Sequence, residues 1–282
     1  YAVPNDSQLD ASEVERHFRN VDATIARLMA EGDPFMPSES PDPARRLTEA
    51  ELQGRLELDA IQAGFQTGEL SVDTEQVATL LRQAIRANDR IRVYLDCEVL
   101  SASHAGGGGV RVNCRHDDKP VEMHYRYGVN CTWEDRLRLD TTLGLRPERP
   151  WLMRYKAAMT LQLRHPVAAS QLPSITLITG PYGDIVNHDG RKIYLSWYPQ
   201  CKLAETRDVD GLALHDIAHA QCPPHLVGNS VQALARFVPG LATAAQDPES
   251  VTIGGGVIFA WGQTDIDDPQ SGLHERHAIG AT

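Results

Sequence analysis

The sequence predicts a mixed α/β chain whose second half is α+β. Three observations carry that prediction. Apolar residues recur at helical spacing in two early stretches, strands of period two follow in a tight meander, and from residue 151 onward hairpin-linked strands give way to two helices. With 282 residues and 41% apolar content, the chain is long enough for two domains with ordinary cores.

Residues 10–31 predict a helix, because Val14, Phe18, Val21, Ile25 and Leu28 fall three and four apart and form one apolar stripe. The four prolines of "EGDPFMPSESPDPARR" (31–46) turn the chain into a loop, and Thr48 then caps a short helix over 47–56. Asp73 and Gln76 have capping-box character ahead of a helical face made by Val77, Leu80, Leu81, Ala84 and Ile85. Ile91, Val93 and Leu95 alternate, which predicts a strand over 91–95. Three more strands are expected at 97–104, 109–115 and 120–127, joined by the turn segments "AGGGGV" and "HDDKP". This β-meander precedes a strand "YGVNC" at 127–131. Beyond it, 151–165, 174–180, 183–190 and 192–199 read as a mostly antiparallel sheet with hairpins, of which "NHDG" ends in a turn glycine. Two helices split by Pro223-Pro224 occupy 210–238, and 250–262 returns to strand.

The net charge of −11 repels phosphate backbones, so nucleic acid is not an expected partner. No apolar run approaches the roughly 18 residues a membrane helix needs. The polar opening "YAVPNDSQLD" is unlike a signal peptide, and a start at Tyr rather than Met suggests a processed or truncated beginning. Five scattered cysteines without a C-x-x-C predict a reducing, cytoplasmic setting rather than a disulfide framework.

Several stretches carry candidate chemistry. Gly106 to Gly109 lead into a strand, which fits a hairpin turn; a phosphate cradle needs a helix N-terminus after the glycines. Neither they nor Gly254 to Gly256 match G-x-G-x-x-G. "HDIAH" places His215 and His219 on one helical face, with Cys222 or His225 as a third metal ligand, although Asp stands where a zinc hydrolase has its Glu base. Cys131, at a strand end, is either a small core thiol or a nucleophile. Tyr182, Tyr194, Trp197 and Tyr198 are either core rings or the wall of a pocket for a flat ligand.

The order of these pieces resembles the FAD-dependent oxidoreductases of the D-amino-acid oxidase superfamily. The resemblance rests on "TGELSVDTEQVATLLRQAI" followed by "RIRVYLDCEVLSA", the meander, "YGVNCTWEDRLRLD", "RYKAAMTLQL", "PSITLITGPYGDIVNHDGRKIYLSWYP" and "GGGVIFAWGQTDIDDPQSGLHER". It implies a partial FAD-binding, Rossmann-like domain with a β-meander over 67–148. A substrate domain would take 1–66 as its helical part and 149–248 as its sheet and flanking helices, and 249–282 would return to the FAD domain. It implies hydride transfer from a small amine, amino acid or hydroxy acid to flavin, reoxidised by oxygen or a quinone, with the cofactor carrying the chemistry. By position, it implies that Glu98 and Val99 meet the adenine. Asn130, Cys131 and Thr132 then pass the pyrophosphate and ribityl chain, in a strand end commonly V-N-A-x-G, with Trp133 in place of a small residue. Gly255, Gly256 and Arg276 belong to the segment returning to flavin, and Arg154, Tyr182, Tyr194 and Trp197 to the substrate pocket. No catalytic acid or base is assigned.

Two parts of the family pattern have no counterpart: the opening strand–G-x-G-x-x-G–helix and the closing segment that packs on flavin. The resemblance therefore implies the middle of such an enzyme, with FAD binding weak or absent until another segment, from a partner chain for example, completes it. Two other function classes stand beside this one. One is a zinc-dependent hydrolase built on His215, His219 and Cys222; the other is a non-catalytic accessory subunit of a flavoenzyme.

Overall fold

The computed structural model describes residues 1–147, 149–209, 213–266, 268 and 271. Strand β1 (Ala2–Pro4) leads into helix α1 (Ala11–Ala30), which starts at a complete capping box. Asp10 Oδ1 accepts the amides of Ser12 and Glu13 at 2.8 Å each, and Glu13 Oε2 accepts the amide of Asp10 at 2.9 Å. The predicted 10–31 helix is therefore present almost to the residue. After β2 (Arg45–Arg46), Thr48 caps α2 as expected, but α2 is a single turn (Glu49–Leu52). Strand β3 (Ile61–Gln66), which alternation in the sequence did not suggest, pairs antiparallel with both β1 and β2. Helix α3 (Thr74–Arg86) follows, then the meander β4 (Cys97–His104), β5 (Val110–His116) and β6 (Lys119–Tyr125), and α4 (Arg136–Thr142). The second half contains β7 (Trp151–Leu163), β8 (Ile175–Thr176), β9 (Gly183–Asn187), β10 (Lys192–Trp197), α5 (Tyr198–Cys201) and β11 (Lys202–Thr206). It ends with α6 (Ala213–Gln221), α7 (Leu226–Ala235), α8 (Gly240–Ala244) and β12 (Pro248–Trp261).

The chain forms two units, each assembled from separated segments. The first gathers Tyr1–Asp73, Ala157–Lys202 and Cys222–Gly255; the second gathers Thr74–Lys156, Leu203–Gln221 and Gly256–Thr282. In the first unit β7, β10, β9 and β8 pair in that order, all antiparallel, with Met159 opposite Leu195 and Leu195 opposite Ile185. Gly183 faces Trp197 in this ladder, where a Cβ would stand 1.8 Å from the Ser196 carbonyl oxygen. Only glycine fits there, because the two backbones nearly touch. A second cluster in this unit packs Val3, Ala11, Val14, Ala63 and Phe65 beside Phe18.

In the second unit, β12 and β11 pair with β7. Their core joins Met153 and Tyr155 of β7 to Val257, Phe259 and Trp261 of β12, Leu137 of α4, and Leu214 and Ala218 of α6. The meander matches the predicted strands to within two residues at each end. The glycine run is the hairpin turn expected from its context: Gly107, Gly108 and Gly109 have φ of 88°, 100° and 95°. Arg138 ties α4 to β4 by donating to the carbonyls of Leu100 (2.8 Å) and Val99 (3.1 Å), and Thr142 exchanges hydrogen bonds with the backbone of Ala102.

Two predicted strands are corrected. Residues 91–95 and 127–131 run as irregular chain, although both alternate as a strand should. A strand needs a hydrogen-bonding neighbour, and among the described residues neither stretch has one. Their apolar side chains stand out instead, with Tyr127 75% and Val129 86% exposed. Helix α3 exists where its period placed it, but it buries no residue, and Leu80 and Leu81 are 57% and 58% exposed. Among the described residues, no helix is long and apolar enough to cross a membrane.

Candidate functional site

The sheet of the first unit has a face of fully buried residues and a half-buried face. Side chains alternate across a strand, so Met159, Leu161, Ile185, Ile193 and Leu195 all point one way, and all are fully buried. Thr160, Gln162, Asp184, Val186 and Tyr194 point the other way and are half-buried. Tyr194 sits between Thr160 and Val186 on the neighbouring strands, at the middle of this face. Burial, and then the Asp184 carboxylate, push its hydroxyl pKa up, against an opposing hydrogen bond with Ser196. Asp184 also accepts from the buried Ser196 hydroxyl at 3.3 Å. A cleft of about 570 Å³ opens over β8 and β9, lined by Tyr1, Phe65, Glu69, Thr176, Ile185 and Val186. The Tyr1 hydroxyl donates to Glu69 there, and its pKa is raised by burial first, then Glu69, then Asp184. Of these groups, Tyr1 and Glu69 line the cleft, and a phenol paired with a carboxylate gives it a hydrogen-bonding wall suited to a small polar ligand.

The register separates residues that the sequence grouped. Tyr194 and Trp197 are three apart on one strand and therefore lie on opposite faces of the sheet. Tyr182 and Trp197 are brought together, with ring centroids 6.1 Å apart, and with them Phe237 from the chain just after α7. Tyr198 is buried in α5. Arg154 belongs to the second unit, where its Nη1 donates to Asp265 Oδ1 at 2.7 Å in a pair only 2% and 9% exposed. The structure thus ties this guanidinium to a buried carboxylate within its own unit.

The strand end "VNCTW" is held as a turn. Asn130 Nδ2 donates to Asp140 Oδ1 (2.9 Å) and to the Arg136 carbonyl (3.1 Å), while Asn130 Oδ1 accepts the amide and hydroxyl of Thr132. Cys131 is exposed, so the core-thiol alternative does not hold for it. Trp133 has φ of +53°, a left-handed backbone that favours glycine, and its indole N–H donates to the Val257 carbonyl at 2.6 Å. Glu98 is exposed and paired with Arg115, and the Val99 carbonyl is taken by Arg138. Gly255 is exposed, and a Cβ on Gly256 would meet nothing within 4 Å. Arg276 lies outside the described residues.

The helix carrying "HDIAH" makes an imidazole–carboxylate pair instead of a metal centre. His215 Nε2 is 2.9 Å from Glu134 Oε1, and Tyr155 meets the imidazole edge-on at 5.1 Å. Among the described residues, no group of three or more His, Cys, Asp or Glu is placed to hold a metal ion. Sequence reading missed Asp184, Glu69, Phe237 and Glu134. The parity of β9 and β10 held a signal for Asp184; the other three meet their partners only through long-range contacts.

A dinucleotide lies across strand ends at a glycine-rich strand–helix turn. The sequence has no such turn, and the stretches 91–95 and 127–131 that would flank one are not paired into a sheet.

No family model matches the chain, and no curated protein matches it in sequence. Solved structures do match. Iminodiacetate oxidase from Chelativorans sp. BNC1 aligns with 84% of this chain and 57% of its own length, at 21% identity and a TM-score of 0.48. The glycerol-3-phosphate dehydrogenase of Bacillus halodurans, solved with FAD, aligns with 76% and 42% of the two chains, at 16% identity and 0.42. L-proline dehydrogenase from P. horikoshii aligns at 11% identity and a TM-score of 0.52. This chain therefore has the fold of L-proline dehydrogenase across 92% of its own length, and it spans 60% of that enzyme's.

Proposed function

We propose that the chain forms the substrate side, and part of the cofactor side, of a FAD-dependent oxidoreductase acting on a small amine, amino acid or hydroxy acid. The observation that carries this reading is the half-buried sheet face around Tyr194, with fully buried residues behind it, hydrogen-bonding groups on it and a cleft beside it. The fold shared with L-proline dehydrogenase supports the reaction class. In such an enzyme, FAD would accept the hydride; this chain's part is to place a small polar substrate with the Tyr194 and Tyr1 hydroxyls and the Asp184 and Glu69 carboxylates. The FAD contacts would come from the turn at Asn130 to Trp133, from Glu98 and Val99, and from the open stretch at Gly255 and Gly256. A further segment carrying strand–G-x-G-x-x-G–helix completes that site in this reading. It pairs with 91–95 and 127–131 and covers the apolar face of α3.

The test is flavin binding. The chain is mixed with FAD, passed through gel filtration and scanned for flavin absorbance, alone and with a strand–G-x-G-x-x-G–helix segment fused or co-expressed. Flavin is expected only with the added segment, at one per chain. Stoichiometric flavin on the chain alone would overturn the incomplete cradle. Its absence from both forms would reduce the likeness to one of fold and bring forward a non-catalytic accessory role.

A further inference from the structure

The reverse side of the first unit holds a second cleft, of about 600 Å³, unrelated to the Tyr194 face. Its floor is aromatic. Tyr182, Trp197 and Phe237 form a nearly equilateral triangle, with centroid separations of 6.1, 6.2 and 6.1 Å and interplanar angles of 53°, 77° and 32°. Its rim is acidic. Asp6, Glu57 and Asp59 line it against a single guanidinium, Arg236. We propose that this cleft binds a small organic cation, an alkylated ammonium.

The chemistry follows from the two layers. A ring face attracts a cation within roughly 6 Å of its centroid, most strongly for Trp, and Trp197 is the least buried of the three rings that line the cleft. Aromatic faces reward a weakly hydrated cation with apolar substituents, because such an ion loses little water on entering and its methyl groups pack on the rings. The carboxylates supply the attraction that brings it in and the charge that balances it. A neutral apolar ligand gains nothing from the three carboxylates and must displace their water.

The cleft is also preformed. The Glu57 amide donates to the Phe237 carbonyl at 2.9 Å, and the Asn5 amide to the Ala60 carbonyl at 3.1 Å. Asn5 Nδ2 holds the Asp59 carbonyl at 2.7 Å, and the Tyr182 hydroxyl donates to Asp6 Oδ1 at 2.7 Å, which fixes that ring. The segments carrying rim and floor are thus clamped to one another, so a ligand need not order them. This inference stands apart from the flavin proposal, and its test uses no flavin.

The experiment is calorimetric titration of the full chain with tetramethylammonium chloride, against 2-methyl-2-propanol as the neutral analogue of similar shape. Saturable binding of the ammonium, at least tenfold tighter than the alcohol, is expected. Glu57→Gln with Asp59→Asn should weaken it severalfold, and the loss should shrink in high salt, where exposed charges are screened. Arg236→Gln should tighten it, since a like charge leaves the rim. Both variants alter exposed side chains and leave the folded chain intact. Equal affinity for the alcohol, no saturable binding of the ammonium, or unchanged affinity in the acidic double variant would each overturn the proposal.

Discussion

Replacing Arg154 with Met should destabilise the protein sharply, through the carboxylate it leaves behind. Arg154 and Asp265 are 2% and 9% exposed and joined at 2.7 Å, so neither charge has water as an alternative partner. With charge centres roughly 4 Å apart and an effective dielectric near 20, their attraction is about 4 kcal/mol. Removing one member of a buried pair typically costs about 3–5 kcal/mol, because the other stays buried and uncompensated. At about 2–4 °C per kcal/mol for a chain of this size, the melting temperature should fall by roughly 6–20 °C. Urea unfolding followed by tryptophan fluorescence and circular dichroism measures this directly. Arg154→Met with Asp265→Leu should recover most of the loss, since a well-packed apolar pair is often as stable as a buried ionic one. If Arg154→Met alone cost less than about 1 kcal/mol, the pair would not be buried, and a ligand-binding role for Arg154 would return.

Three further outcomes follow from the geometry. Gly183→Ala should cost at least the upper end of the roughly 1–3 kcal/mol of overpacking, because its Cβ would stand 1.8 Å from the Ser196 carbonyl oxygen; wild-type stability would mean that Gly183 and Trp197 are not in register. Leu80→Glu with Leu81→Glu should change stability by less than about 0.5 kcal/mol per site and reduce self-association in sedimentation runs; a loss above about 2 kcal/mol would show that α3 is packed after all. The Tyr182 hydroxyl is held above the ordinary tyrosine range by burial and then by Asp6, so its protonated form is favoured in the folded state. The stability it contributes is complete below the ordinary tyrosine range and lost as pH rises through the higher folded value. Absorbance titration near 295 nm should show three late-ionising tyrosines, Tyr1, Tyr182 and Tyr194, of which Asp6→Asn moves one back toward the ordinary range; an unchanged titration would disconnect Tyr182 from Asp6.

Much of the local structure was legible because it is local. The α1 stripe, the Thr48 cap, the tetraglycine turn and the "NHDG" turn each depend on a few adjacent residues, and each is found. What failed needed a neighbour that spacing cannot supply. Residues 91–95 alternate correctly, yet alternation makes a strand only when another backbone accepts its hydrogen bonds. The candidate site was half legible for a similar reason. Parity along β10 already separates Tyr194 from Trp197, whereas Phe237 reaches the rings through the packing of α7 on β10, which no local pattern encodes. The strand end "VNCTW" shows a further limit: its backbone keeps a left-handed turn at Trp133, but a bulky side chain there conceals the glycine-like shape.

The alternation of the two units along the chain bears on how the protein is made. The polypeptide passes from one unit to the other five times, at 73/74, 156/157, 202/203, 221/222 and 255/256. A protein leaving the ribosome ordinarily completes its N-terminal domain first and shelters it from the rest. Here the first unit lacks its last segment until residue 255 has been made, and the second is still being extended after that. The first unit therefore cannot close before the segment that ends at Gly255 has emerged, by which point two segments of the second unit have already been made. For the same reason, no single cut in the gene yields one unit intact.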